Sequence, residues 1–171
     1  MKANLLVSYN PSRGSSAKAE LECLLSEVND DYKFFPLRTK GLFAVKVPNA
    51  RRTIKKLANV HKKNPNKFKT TFTYKPVDYW TNIDIREMQK AMRKMVPKIG
   101  GKEKWKLELN KRSNKENYHS LVLKLTEPIE KGKVSLNKPS KTILAEMIGN
   151  RSAFSLVKDG QVLKTGENGN K

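Results

Sequence analysis

The apolar positions of this chain switch between two periods. Ala3–Tyr9 is a short apolar run suited to a buried strand, and Asn10–Ser15, with Pro11 and Gly14, reads as a turn. Ala17, Leu21, Leu24, Leu25 and Val28 then recur at helical spacing behind a serine cap at Ser15 or Ser16. Tyr32–Leu37 and Gly41–Val47 read as a hairpin turned near Thr39–Gly41, and Pro48 closes it. Asn49 can cap a second helix with the apolar stripe Ala50, Ile54, Leu57 and Ala58; its other face carries Arg52, Lys55, Lys56 and Lys63. Lys69–Tyr74 alternates again, Thr71 and Thr73 against Phe72 and Tyr74, and ends at Pro76. The elements predict a small antiparallel sheet with two helices on one side.

That βαββαβ order over residues 1–78 is the ferredoxin-like pattern. The second half starts with a capping box, Asp84-Ile85-Arg86-Glu87, and a helix with Ile85, Met88, Met92, Met95 and Ile99 on one face. Arg86, Lys90, Arg93 and Lys94 fall on another face, and Pro97 with Gly100-Gly101 stops the helix. The methionines read as core filler. Trp105–Leu109 alternates as a strand and runs into Lys111-Arg112, and Ser113–Asn117 is polar loop. Ser120–Glu130 is open by pattern alone: Leu121, Leu123 and Leu125 alternate like a strand, while Leu121, Val122, Leu125 and Ile129 fit a helix stripe. Gly132–Leu136, Ile143–Ile148 and Ala153–Val157 read as strands. Pro76–Thr81 reads as the boundary, which gives an α+β chain of two domains, 1–78 and 79–158, and a Gly/Asn-rich tail, 159–171, that is expected to fray.

Charge turns this outline toward a partner. The 171 residues carry a formal net charge of +20, and the window Tyr32–Val77 holds thirteen lysines and arginines and no acidic residue. Unbalanced like charge repels itself in a compact fold, and a polyanion is the simplest compensation. The fit is to nucleic acid, with structured RNA favoured and duplex DNA left open on charge alone. Trp80, Tyr118 and Phe68 are the aromatics that could lie outside and stack on bases, with packing between elements as the alternative. The single cysteine, Cys23, leaves no intrachain disulfide or cysteine-based zinc site and fits a reducing, cytoplasmic setting. No secretory leader pattern and no apolar run of membrane-spanning length appears, so no membrane partner is expected. His61 and His119 are isolated, and there is no HExxH, GxSxG, Gly-rich phosphate loop or paired-carboxylate signature. The residues read as a binding module with no catalytic set, no cofactor and no metal.

From Trp105 onward the wording is specific. The segments KWKLELNKR, SLVLKLTEPIEKGKVSLNKPSKTILAEMIG and RSAFSLVK resemble a THUMP domain, and YKPVDYW with the capped helix from Asp84 fits the same pattern. The similarity is strongest in Lys133–Gly149, and the nearest kind is the stand-alone THUMP protein that serves as a tRNA-binding adaptor for cytidine acetylation. The resemblance implies that Ser120–Glu130 is helix. It implies that the module, with its ferredoxin-like neighbour, holds tRNA near the acceptor end while a separate tRNA acetyltransferase performs the chemistry. Carried over by position, Lys111 and Arg112 at the strand end, Asn137, Lys138 and Lys141 around the turn, and Arg151 in the last hairpin become RNA contacts. The basic helix faces, Arg86, Lys90, Arg93 and Lys94, and Arg52, Lys55 and Lys56, join them on charge. Many relatives carry Asp at the position of Ser135 and Asn-Pro where this chain reads Asn137-Lys138-Pro139, so a turn longer by one residue is expected here. The competing readings are an adaptor for thiolation, methylation or pseudouridylation, and a structural ribonucleoprotein component.

Overall fold

The computed structural model describes residues 1–112, 117–130 and 132–166. Most of the polar loop expected at Ser113–Asn117, and residues 167–171 of the expected tail, lie outside the described residues. The chain divides into two compact units at Val77/Asp78.

The first unit runs β1 (Leu5–Tyr9), a 3-10 turn (Pro11–Arg13), α1 (Gly14–Glu27), β2 (Lys33–Phe35), β3 (Leu42–Lys46), α2 (Ala50–Lys63) and β4 (Thr71–Pro76). Its strands lie side by side as β4-β1-β3-β2, all pairs antiparallel, which is the ferredoxin-like order. Leu5, Leu6 and Val7 are all buried, which explains why β1 reads as a continuous apolar run rather than an alternation. The core gathers Leu5, Val7, Val45 and Tyr74 from the sheet with Leu21, Leu25, Ile54 and Leu57 from the helices.

Asn49 caps α2 as expected, its Oδ1 accepting the Arg52 amide at 3.1 Å. The start of α1 differs from expectation. Neither Ser15 nor Ser16 caps it; Asn10 accepts from the amide and hydroxyl of Ser12, at 3.1 and 2.8 Å, and Pro11 launches a 3-10 turn that runs directly into the helix. The Glu20 carboxylate then accepts the amides of Lys69, Thr70 and Thr71 at 2.7, 3.0 and 2.9 Å and ties α1 to the entry of β4. Phe68 is a core residue, 6% exposed, edge-on to His61 and Tyr74, so it offers no stacking surface.

The second unit runs β5 (Tyr79–Asn82), α3 (Ile85–Met95), a 3-10 turn (Val96–Lys98), β6 (Lys104–Arg112), α4 (Tyr118–Thr126), β7 (Lys133–Val134), β8 (Lys141–Ile148) and β9 (Arg151–Val157). The sheet order is β5-β9-β8-β6-β7; β6 is parallel to β7 and β8, and the other pairs are antiparallel. Met88, Met92 and Met95 of α3 and Leu121 and Leu125 of α4 pack on Trp105, Leu109, Ile143, Ala145, Met147 and Phe154. The segment left open by pattern is helix, capped by Asn117, whose side chain accepts the Ser120 amide at 3.0 Å. The expected strand at Gly132–Leu136 shrinks to two residues. Conversely, part of the expected linker is β5, paired with β9 through Tyr79↔Phe154 and Trp80↔Ala153. Gly132 holds φ +75°, and a Cβ there would lie 2.6 Å from the Glu103 carbonyl and 2.8 Å from the Trp105 ring.

The tail is a further correction. Residues 160–166 belong to the first unit, where β10 (Leu163–Lys164) pairs with β4 and extends its sheet. Leu163 is 8% exposed, and the Thr165 hydroxyl donates to the Thr71 carbonyl at 2.8 Å. One buried leucine and a shared ladder hold this short segment despite its polar composition.

Candidate nucleic-acid interface

Many of the acids among the described residues are committed to amides or lysines. Asp84 accepts the amides of Arg86 and Glu87 at 2.9 and 3.1 Å, and Glu87 reaches back to the Asn82 amide at 3.1 Å. Asp78 accepts the Leu156 amide, and Glu146 accepts the Asn110 side-chain amide at 2.9 Å. Glu20 serves three amides and Asp30, Glu27 and Glu103 stand in ion pairs, while Asp31, Glu127, Glu130 and Asp159 are exposed.

In the second unit the candidate cations fall at the end of β6, where Lys111 and Arg112 as successive strand residues point to opposite faces of the sheet, and along α3. Lys111 and Arg112 are half-buried where β6 ends. Arg112 stands opposite Ile148, which in turn stands opposite Arg151, so the two arginines share a row two strands apart, about 10 Å. Arg151 is exposed, and the Nε of Arg112 is buried with no hydrogen-bond partner among the described residues. Gly149, at φ +58°, turns the hairpin between β8 and β9, and its amide donates to the Arg112 carbonyl at 3.1 Å. The Ile83 amide donates to Asn150, which brings the start of α3, and with it Arg86, to this end of the sheet. From there Arg86, Lys90, Arg93 and Lys94 lie exposed along one side of α3, about 12 Å from first to last Cα. The Lys94 ammonium sits 5.2 Å above the Tyr79 ring.

The turn residues sit elsewhere. Lys141 pairs with Trp105 at the start of β6, seven residues from Arg112 and thus about 23 Å from that strand end. Asn137 and Lys138 are exposed beside it. Lys141 itself is not a free surface cation: its side chain is 14% exposed, and its ammonium bonds Glu103 Oε1 at 2.7 Å and the Lys98 carbonyl. The Lys141 ammonium and the Gly100 amide hold the Glu103 carboxyl below its ordinary value.

In the first unit Arg52 and Lys55 are exposed on α2, but Lys56 is committed to Asp30 at 2.9 Å and to the Val28 carbonyl at 3.2 Å. Burial alone would raise the Asp30 carboxyl; hydrogen bonds from Thr53 and Lys56 outweigh it and hold the group below its ordinary value. Of the remaining candidate stacking aromatics, Tyr118 is 50% exposed at the start of α4 and Trp80 is half-buried in β5. The sequence reading placed Arg151 in the last hairpin but missed the bond from Ile83 to Asn150 that brings the start of α3 to it; no local pattern marks that bond. Among the described residues no group of His, Cys, Asp and Glu is placed to hold a metal ion, and no helix is long and apolar enough to cross a membrane.

No protein-family model matches the chain, and no curated protein matches it. Solved structures do. PH1313 from Pyrococcus horikoshii Ot3 is similar over 95% of this chain and 55% of its own, at 14% identity and a TM-score of 0.68. TrmN from Thermus thermophilus is similar over 89% and 44%, at 11% identity and 0.58. A 4-thiouridine synthetase, solved as an RNA complex with bound ATP, is similar over 96% and 42%, at 12% identity and 0.54. The chain spans about half the length of these proteins or less. At such identities the likeness is one of fold, and the fold they share with this chain is α+β, a ferredoxin-like unit followed by a mixed sheet carrying two helices.

Proposed function

We propose that this chain binds tRNA through its second unit and presents it, without chemistry of its own, to a separate modifying enzyme. The observation that carries the reading is the distribution of charge: many of the described acids serve amides and ion pairs, while Arg86, Lys90, Arg93 and Lys94 face solvent along α3 and Arg151 faces solvent in the same strand row as the half-buried Arg112. Arginines two strands apart can grip phosphates bidentately at the sheet end, and the α3 stripe can follow a backbone away from it. The exposed Arg52 and Lys55 of α2 add a non-specific bed that draws RNA in.

The THUMP-like wording of Lys133–Gly149 supports tRNA as the RNA, and its acceptor end as the part held. It also supports cytidine acetylation by a partner acetyltransferase as the reaction served. Purified protein, an acetyl donor and tRNA should yield no acetylcytidine until the partner enzyme is added; product from this protein alone overturns the adaptor role. A second reading, service to a thiolation enzyme, is favoured by the fold shared with a 4-thiouridine synthetase that was solved with RNA. Nucleoside analysis of tRNA after gene deletion separates them: loss of acetylcytidine supports the first, loss of thiouridine the second.

A further inference from the structure

The first unit contains a cleft of about 370 Å³ whose lining includes Tyr9, Lys18, Phe34, Leu37, Lys40 and Phe43. Its floor is aromatic. The Tyr9 and Phe43 rings stack 4.1 Å apart at 15°, and Phe34 stands edge-on to Phe43 at 5.5 Å and 87°. One wall is the loop between β2 and β3, held down where the Tyr9 amide donates to the Gly41 carbonyl at 3.0 Å. Gly41 is needed there: φ is +87°, and a Cβ would meet the Pro11 ring at 3.1 Å. The other wall is α1, from which the Lys18 ammonium lies 5.1 Å above the Phe34 ring. Lys18 and Lys40 are both exposed, and no acidic residue lines the cleft. Tyr9, Phe34 and Phe43 are only half-buried, unlike the core Tyr74.

We propose that this cleft receives a single unpaired nucleotide of RNA, its base against the aromatic floor of Tyr9, Phe34 and Phe43 and its phosphate between the ammonium groups of Lys18 and Lys40. Ring faces take bases of any identity, and a lysine on each wall gives point charges for the phosphate without specifying sequence. The size suits one nucleotide, and the need for an open base face excludes paired bases, whose faces their neighbours cover. A tRNA offers such nucleotides at its 3′ end and in its loops. The inference rests on the RNA-binding reading but uses a different unit and different residues, so the two can fail separately.

The test is photocrosslinking of the unaltered full chain to a uridine octamer carrying 5-bromouridine, with the labelled peptides identified by mass spectrometry, together with anisotropy titrations of the octamer and of tRNA. Label at Tyr9, Phe34 or Phe43 is expected. Phe34→Leu, which keeps apolar bulk and removes the ring, should weaken the octamer about five- to tenfold, Phe34→Tyr should not, and Lys18→Gln should weaken it by a similar factor. Circular dichroism checks that the variants fold. If the unaltered chain binds tRNA but the octamer labels none of these rings and Phe34→Leu binds it unchanged, the cleft proposal falls and the tRNA reading stands. If the unaltered chain binds neither RNA, both fall. Protection of the rings by an acidic peptide, with no label from the octamer, would assign the cleft to a protein partner and overturn the proposal.

Discussion

Replacing Arg86, Lys90, Arg93 and Lys94 together by glutamine removes a row of cations while leaving the fold in place. All four are exposed, glutamine has nearly the helix propensity of lysine and arginine, and none of the four belongs to the buried set of α3. The loss from the Lys94–Tyr79 contact is about 0.5–1 kcal/mol. The effect on RNA is larger. Each phosphate neutralised contributes about 0.9 to the slope of log affinity against log salt, so four contacts contribute about 3–4 units. Extrapolated to ~0.1 M salt, that is about a thousandfold in affinity. Anisotropy titrations of labelled tRNA over a salt series give both quantities. A slope that changes by less than about one unit would refute the placement of the α3 stripe against the RNA backbone.

Gly132→Ala should lower the stability of the second unit by about 2–4 kcal/mol, through a backbone overlap and a positive φ, read as a shift in urea midpoint. Acidification should unfold the chain partly through Asp30 and Glu103. Both carboxyls titrate below their ordinary values of 3.8 and 4.5, so the stability they supply is complete above those values and is lost as pH falls through the depressed folded ones. Asp30→Asn and Glu103→Gln should each flatten the acid limb of a stability–pH curve; an unchanged limb contradicts the ion pairs with Lys56 and Lys141.

What was legible in the sequence was what local chemistry decides. Asn49 and Asp84 cap helices because an oxygen-bearing side chain stands two or three residues ahead of orphan amides, and the stripes behind them bury as their spacing requires. What was not legible depends on partners far along the chain. Tyr79–Asn82 shows no alternation and becomes a strand only because β9 lies beside it. Leu163 is one apolar residue in a polar tail, and only β4 makes it a strand. Lys56 and Lys141 look like Lys55 and Lys138 by position, yet Asp30 and Glu103, 26 and 38 residues away, neutralise them. For the same reason the turn at Asn137-Lys138 was grouped with Lys111-Arg112, although the parallel register of β6 and β8 sets them at opposite ends of the sheet.

The proposed function needs RNA to be held at a defined place on the second unit rather than by diffuse charge. The most direct measurement is the tRNA affinity of the Lys111→Glu, Arg112→Glu double variant beside that of Lys62→Glu, Lys63→Glu, which makes the same change in net charge on the exposed end of α2. The first pair should weaken binding far more than the second; equal losses would mean that diffuse charge alone holds the RNA.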